Sequence, residues 1–299
     1  MTLNKNSIYG ISLGGNGISL CSSFRSPFLS VWYEVEDGFP PQFYATSKLL
    51  ENCDLEEANR RISTLIFLFN GARRVVEGGQ WFCPARIDFL AEPQGDFHAD
   101  GLSKSVFENN CFSSVAAIRT IKDKEIGIKE IFDLSFFNQL IGDVVLLYGT
   151  CVSYCVDDLQ TSILKWSNIY KIYDNIKYAL SKFHVKITDF MDAEALDAFT
   201  YSCNNSCVNW ITGRHGNDGK AVSKKIKPMN LNEAMAFIDL MVKCFLCIYK
   251  KKLKEELLNT AKEEMLFALA NALGKVAQKK YLREQFNKDV AVDQSALLE

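Results

Sequence analysis

The sequence predicts an α+β protein: an N-terminal antiparallel sheet with one long helix, then a C-terminal all-α helical bundle. Three observations lead there. Short apolar runs punctuated by Gly, Asn and Pro open the chain. A single long stretch with helical apolar spacing follows them, and beyond about residue 132 the pattern turns almost wholly helical. The expected division is an α+β part over residues 1–125 and a helical bundle over residues 126–299.

Residues 8–13 and 18–22 flank Gly14-Gly15-Asn16-Gly17. Gly and Asn tolerate the positive φ of a tight turn, so a hairpin is expected. Residues 28–36 alternate as a third strand, and residues 42–50 form a fourth after Pro40-Pro41. Asp54 reads as an N-cap with Glu57 three residues later, the spacing of a capping box. Ala58, Ile62, Leu65, Ile66, Phe69 and Ala72 then recur at helical spacing, and Gly78-Gly79 stops that helix. Residues 86–91 and 115–121 read as further strands, and residues 92–110, with Pro93, Gly95 and Gly101, as a surface loop.

Helices are expected over 134–154, 159–183, 193–205, 231–249 and 252–286, with a loosely ordered tail over 287–299. Leu266, Leu269, Leu273 and Val276 have the 3-4-3 spacing of a short coiled coil or homodimer contact. Because the pattern stops short of three heptads, packing on the chain's own bundle is the favoured expectation.

Composition bounds the function. With 299 residues, 48% hydrophobic and 23% charged, the chain has the make-up of one large or two ordinary globular domains. A net charge of -2 gives no global attraction to nucleic acid or acidic lipid, so any such attraction must come from a local patch. The N-terminus lacks a signal-peptide apolar block, so the 10 cysteines are expected reduced and buried, in the cytoplasm. Residues 134–156 are apolar but interrupted by Asn138, Gln139 and Asp143, which predicts a core helix and no membrane partner.

The chemistry-bearing stretch is Arg214-His215-Gly216 with Lys220, Lys224, Lys225 and Lys227 beyond it. An imidazole with a pKa near ~6.5 can move a proton at neutral pH. A guanidinium offers a planar fork of donors to phosphate. His215 as acid/base, Arg214 on the phosphate and the four lysines along the backbone would make a metal-independent RNA cleavage site. Asn204 and Asn205 would orient it through their amides. The plainer reading is that Arg and His complement a helix C-terminus, Gly216 ends it and the lysines are solvated.

Other motifs carry less. Cys244-x-x-Cys247 and the pairs Cys151/Cys155 and Cys203/Cys207 fall in apolar helical sequence, which suits core packing better than zinc. Asp189, Asp192, Glu194 and Asp197 cluster at a helix start, where carboxylates serve as caps. Gly14-Gly15-Asn16-Gly17 lacks the Lys-Ser/Thr of a phosphate-binding loop. No serine-hydrolase elbow or His-Glu-x-x-His is present. No cofactor and no metal are expected.

With Arg214-His215 at a helix end and Pro228-Met229-Asn230-Leu231-Asn232-Glu233-Ala234 opening the next helix, the helical part resembles a HEPN-type helical domain. Asn204-Asn205, Arg214-His215-Gly216, Pro228-Met229-Asn230-Leu231 and Asn70-Gly71-Ala72-Arg73 are also similar to a pattern in uncharacterised bacterial proteins. Many HEPN members are ribonucleases of bacterial defence and toxin systems and commonly work as dimers. The resemblance therefore implies an RNA-directed protein of that type, a metal-independent endoribonuclease. The alternative is a non-enzymatic sensor or adaptor subunit that assembles with a partner protein. Val208-Asn209-Trp210 departs from the HEPN pattern, because no Arg lies four to six residues before His215. Adjacent helical residues point about 100° apart, so Arg214 and His215 would converge only in a loop. That departure favours the adaptor.

Overall fold

A computed structural model describes residues 11–14, 24–37, 41–51, 53–78, 84–90, 101–108, 114–122, 125–153, 159–205 and 226–296. Five short strands, β1 (Ile11–Gly14), β2 (Phe24–Arg25), β3 (Ser30–Glu34), β4 (Gln42–Thr46) and β5 (Arg86–Leu90), form one antiparallel sheet in the order β2-β3-β4-β1-β5. Alternation sets its faces: Val31 and Ala45 lie opposite each other and are buried, while the next pair, Trp32 and Tyr44, stack on the other face at 5.8 Å. The expected N-terminal antiparallel sheet is present. β1 takes β4 on one edge and β5 on the other, so its described edges are filled by later strands. The second arm of the expected hairpin, residues 18–22, lies outside the described residues.

The long helix α1 (Leu55–Glu77) starts at Asp54, whose carboxylate accepts from the Glu57 N–H at 2.8 Å. Its end is Gly78, at φ 80, a conformation that costs a β-carbon-free residue little. The capping box is only half formed. The Glu57 side chain turns away from the cap and accepts from Ser103 and Ser105 instead.

Helices follow as α2 (Ser105–Glu108), α3 (Ser114–Thr120), α4 (Ile128–Phe137), α5 (Gln139–Ser153), α6 (Leu159–Ser181), α7 (Ala193–Asn204) and α8 (Leu231–Ala296). The chain is α+β, as the sequence predicted. Three expectations fail in detail. The run expected as a strand over 115–121 is helical over Ser114–Thr120: among its described side chains Ala117 and Ile121, four apart, are buried, and four is a helical repeat. The expected helix over 134–154 is two helices, because Asn138 leaves the helix and its side chain accepts from Ile141 N–H at 3.2 Å, capping α5. The fourth strand ends at Thr46, and Lys48–Leu50 is a 3-10 turn capped by Ser47.

The contacts divide the chain into a compact unit Met1–Lys251 and a second unit Lys252–Glu299. In the first, α1 packs along α5 and α4, and α5 along α6. Phenylalanines join sheet and helices: Phe24 meets Phe69 at 4.8 Å and Phe132 at 5.2 Å, and Phe28 stacks on Phe136 at 3.8 Å. Gly71 and Gly149 let α1 and α5 cross with backbones in contact. A β-carbon on Gly149 would lie 1.8 Å from the Phe67 carbonyl oxygen. In the second unit the described element is the continuation of α8. The expected helices 231–249 and 252–286 are thus one helix of 66 residues, since the Lys-rich segment between them contains no Gly or Pro to break it. Leu266, Leu269, Leu273 and Val276 are 55% to 64% exposed.

Candidate functional site

Arg214, His215, Lys220, Lys224 and Lys225 lie outside the described residues, as do His98, Cys155 and Cys207. Asn204, Asn205 and Lys227 are described. Asn204 is the last residue of α7 and donates to the Tyr170 hydroxyl at 3.3 Å. Asn205 ends the helix, with its N–H on the Tyr201 carbonyl at 3.1 Å. Ser202, fully buried, accepts from the Met229 N–H at 2.7 Å, which fastens the segment before α8 to α7. Asn230 and Glu233 then cap α8 reciprocally: Glu233 N–H donates to Asn230 Oδ1 at 2.9 Å and Asn230 N–H to Glu233 Oε2 at 2.8 Å. The Pro228-Met229-Asn230-Leu231 pattern is therefore, in part, a helix-start device.

Lys227 is exposed at a cleft of about 730 Å³ that it shares with Asp192, Glu194, Asp197 and Glu233. Among the described residues that line it, four carry carboxylates and one an ammonium group. Asp192 caps α7 by accepting from Ala195 N–H at 2.7 Å, and Asp189 accepts from Lys186 N–H at 2.8 Å. Those two carboxylates serve helix starts, as their sequence position suggested. The described residues of this cleft present net negative charge to a phosphate backbone.

A polar network that the sequence reading missed joins α1, α5 and α8. Arg74 Nη2 donates to Asp239 Oδ2 at 2.6 Å, and the buried Tyr148 hydroxyl donates to Asp239 Oδ1 at 2.7 Å. Burial opposes the Arg74 charge, but Asp239 and then Tyr148 outweigh it and raise the guanidinium pKa. Burial, reinforced by Asp239, pushes the Tyr148 phenol upward, so it remains a donor. The preceding residue, Arg73, is buried and forks onto Glu77 with two bonds of 2.9 Å. Asn70, fully buried, pairs with both backbone groups of Ala85 at 2.9 Å and donates to Ser153 Oγ at 2.9 Å. So Asn70-Gly71-Ala72-Arg73 is an internal joint: amide clamp, helix crossing and buried guanidinium. The only sequence signal was a polar pair within an apolar helix face.

Of the cysteines, Cys53, Cys151, Cys203, Cys244 and Cys247 are free thiols. Burial raises the Cys151 thiol to about 12, which keeps it protonated and inert. Among the described residues no group of three His, Cys, Asp or Glu side chains is placed to hold a metal ion, and no helix is long and apolar enough to cross a membrane.

Glu57, expected from the sequence as the second member of a capping box, is instead held by side-chain donors. Ser103 Oγ donates to it at 2.6 Å, Ser105 Oγ at 2.7 Å and Arg61 Nε at 2.8 Å. The Ser103 bond is the chief cause that holds its carboxyl down at about 2, with burial opposing and Ser105, Arg61 and Arg60 assisting. A carboxyl held lower in the folded chain than in the unfolded one stabilises fully above the unfolded value of 4.5 and loses that contribution as pH falls toward 2. Glu57→Gln is expected to cost about 1–2 kcal/mol at neutral pH, in line with charge-assisted hydrogen bonds. Urea unfolding of both proteins should show the gap narrowing between pH 5 and pH 3.

Comparison of the chain with models of protein families, with curated proteins and with solved structures gives no match.

Proposed function

We propose that this chain is a non-enzymatic assembly subunit, a cytoplasmic sensor or adaptor whose C-terminal helix seats a partner protein. The supporting observation is the exposed apolar stripe of Leu258, Met265, Leu266, Leu269, Leu273 and Val276 on α8. A contiguous apolar surface of several hundred Å² marks an interaction site in a soluble protein. The carboxylates around Lys227 favour the same reading, because they oppose a grip on phosphate at the described end of the lysine-rich segment.

The competing reading is an RNA-directed ribonuclease of bacterial defence or toxin type, with His215 as acid/base and Arg214 on the phosphate. One experiment separates the two. The full chain and His215→Ala are incubated with tRNA or total RNA in EDTA. The native size of the full chain in cell extract is compared with that of Leu269→Glu/Leu273→Glu. Assembly predicts no His215-dependent cleavage and a large native size that the double variant loses. Cleavage abolished in His215→Ala, or the native size of a lone chain, overturns the assembly reading.

A further inference from the structure

We infer that the cleft between the end of α6 and the start of α7 binds a small organic anion, an acidic head group on an aromatic or other apolar body. The inference is independent of the assembly reading. The cleft has a volume of about 420 Å³, within the range of small-molecule sites. Tyr173, Lys177 and Ser181 recur four residues apart, so one face of α6 forms one wall. Ile187, in the 3-10 turn Ile187–Asp189, and Leu196 of α7 form the opposite side. Tyr173 and Ile187 are buried, and Val185 and Leu196 are half-buried, so the floor is apolar. Burial first, then Tyr170, Asp174 and Asp197, push the Tyr173 phenol upward, so that floor stays uncharged.

Charge sits on the rim, and it is of one sign. Lys177, His184 and Lys186 are exposed there, and no carboxylate is among the described residues that line the cleft. Lys177 Nζ lies 5.9 Å from the centre of the Tyr173 ring, over the apolar floor. Asp189 is committed to the Lys186 N–H at 2.8 Å. A helix C-terminus disfavours anions, but its last carbonyls are occupied here. Leu180 O accepts from Phe183 and Val185 N–H at 3.0 and 3.2 Å, and Ser181 O from His184 N–H at 3.1 Å. Those bonds make His184 the left-handed residue of a Schellman turn, with φ 57, a place that glycine fills without steric cost. His184 is the one non-glycine residue with positive φ among the described residues, and its imidazole lines the cleft. The turn needs no side chain at that position, so the strain is explained by a use for the imidazole beyond the fold.

The test is calorimetric titration of the purified full chain with naphthoate, beside its neutral analogue naphthylmethanol. The variants are Lys177→Gln/Lys186→Gln, His184→Gly and, as a control, Lys182→Gln, whose ammonium stands over Tyr178 away from the cleft lining. Naphthoate is expected to saturate the wild type with a Kd below about 1 mM. The alcohol, and naphthoate on the double lysine variant, should bind about tenfold more weakly, and Lys182→Gln should match the wild type. His184→Gly should bind about threefold more weakly while unfolding roughly 2 °C higher, because glycine relieves the turn. Absence of saturable naphthoate binding to the wild type overturns the inference. So does equal affinity for the alcohol, unchanged affinity in the double lysine variant, or an equal loss in Lys182→Gln. A His184→Gly chain that gains stability and binds as tightly as the wild type overturns it too. None of these outcomes alters the native size in extract, so this inference and the assembly reading fail separately.

Discussion

Gly149→Ala is expected to lower the unfolding temperature by roughly 10 °C, from a loss of about 3 kcal/mol. The added methyl would sit 1.8 Å from the Phe67 carbonyl oxygen and 2.6 Å from its carbon, both backbone atoms of α1 that no rotamer change can move. In a solvated helix the same substitution would help by up to about 1 kcal/mol, because Ala loses less backbone freedom than Gly. The clash must therefore first cancel that gain. Gly274 supplies the control: it is helical, and nothing lies within 4 Å of its built β-carbon. Gly274→Ala is expected to be neutral or mildly stabilising. Equal unfolding temperatures for the two variants in a thermal scan would show that α1 and α5 do not cross as described.

Glu130→Ala is expected to cost about 3–5 kcal/mol, the range for breaking a buried ion pair from one side. Glu130 on α4 and Lys250 on α8 are each 4% exposed, with Oε1 and Nζ 3.4 Å apart. The same oxygen accepts from Lys122 N–H at 2.9 Å, so it also anchors the end of the α3 segment. Removing the carboxylate takes the Glu130 counter-charge away from a buried ammonium and the acceptor away from the Lys122 N–H. Replacing both partners, as Glu130→Leu/Lys250→Met, should recover most of the loss, since desolvating the pair offsets much of its attraction. Urea unfolding of the two single variants and the double variant measures the coupling. Additive losses would mean that the two groups do not act as a pair.

How much of this was legible in the sequence depends on the range of each interaction. The fold class, α1 with its Asp54 start and Gly78 stop, and most helices of the second half follow from local periodicity and capping. The run 115–121 misled because seven residues with Val, Ala and Ile fit both periods, and only the burial of Ala117 with Ile121 decides between them. Asn138 looked like an interruption within one helix, yet its side chain could equally start a new one. Tyr148, Arg74 and Asp239 were invisible for another reason. They are distant in the chain, and only packing of α1, α5 and α8 brings them together. The candidate site was read from adjacency in sequence, and adjacency supplied Arg214 and His215 but no geometry. Lys227 shows the difference: it reads as part of a basic run, and every other charged residue described in its cleft is a carboxylate.

The clamp at Asn70 has a consequence for which changes of length α1 can accept. Asn70 and Gly71 are consecutive, yet each serves a different neighbour: one grips Ala85, the other admits the backbone of Val145. A single inserted or deleted residue between Asp54 and Asn70 would rotate both by about 100° and turn amide and gap away from their targets together. Point substitutions on the outer surface of that helix should be tolerated, whereas indels within it should be lethal to folding even where every inserted side chain faces water.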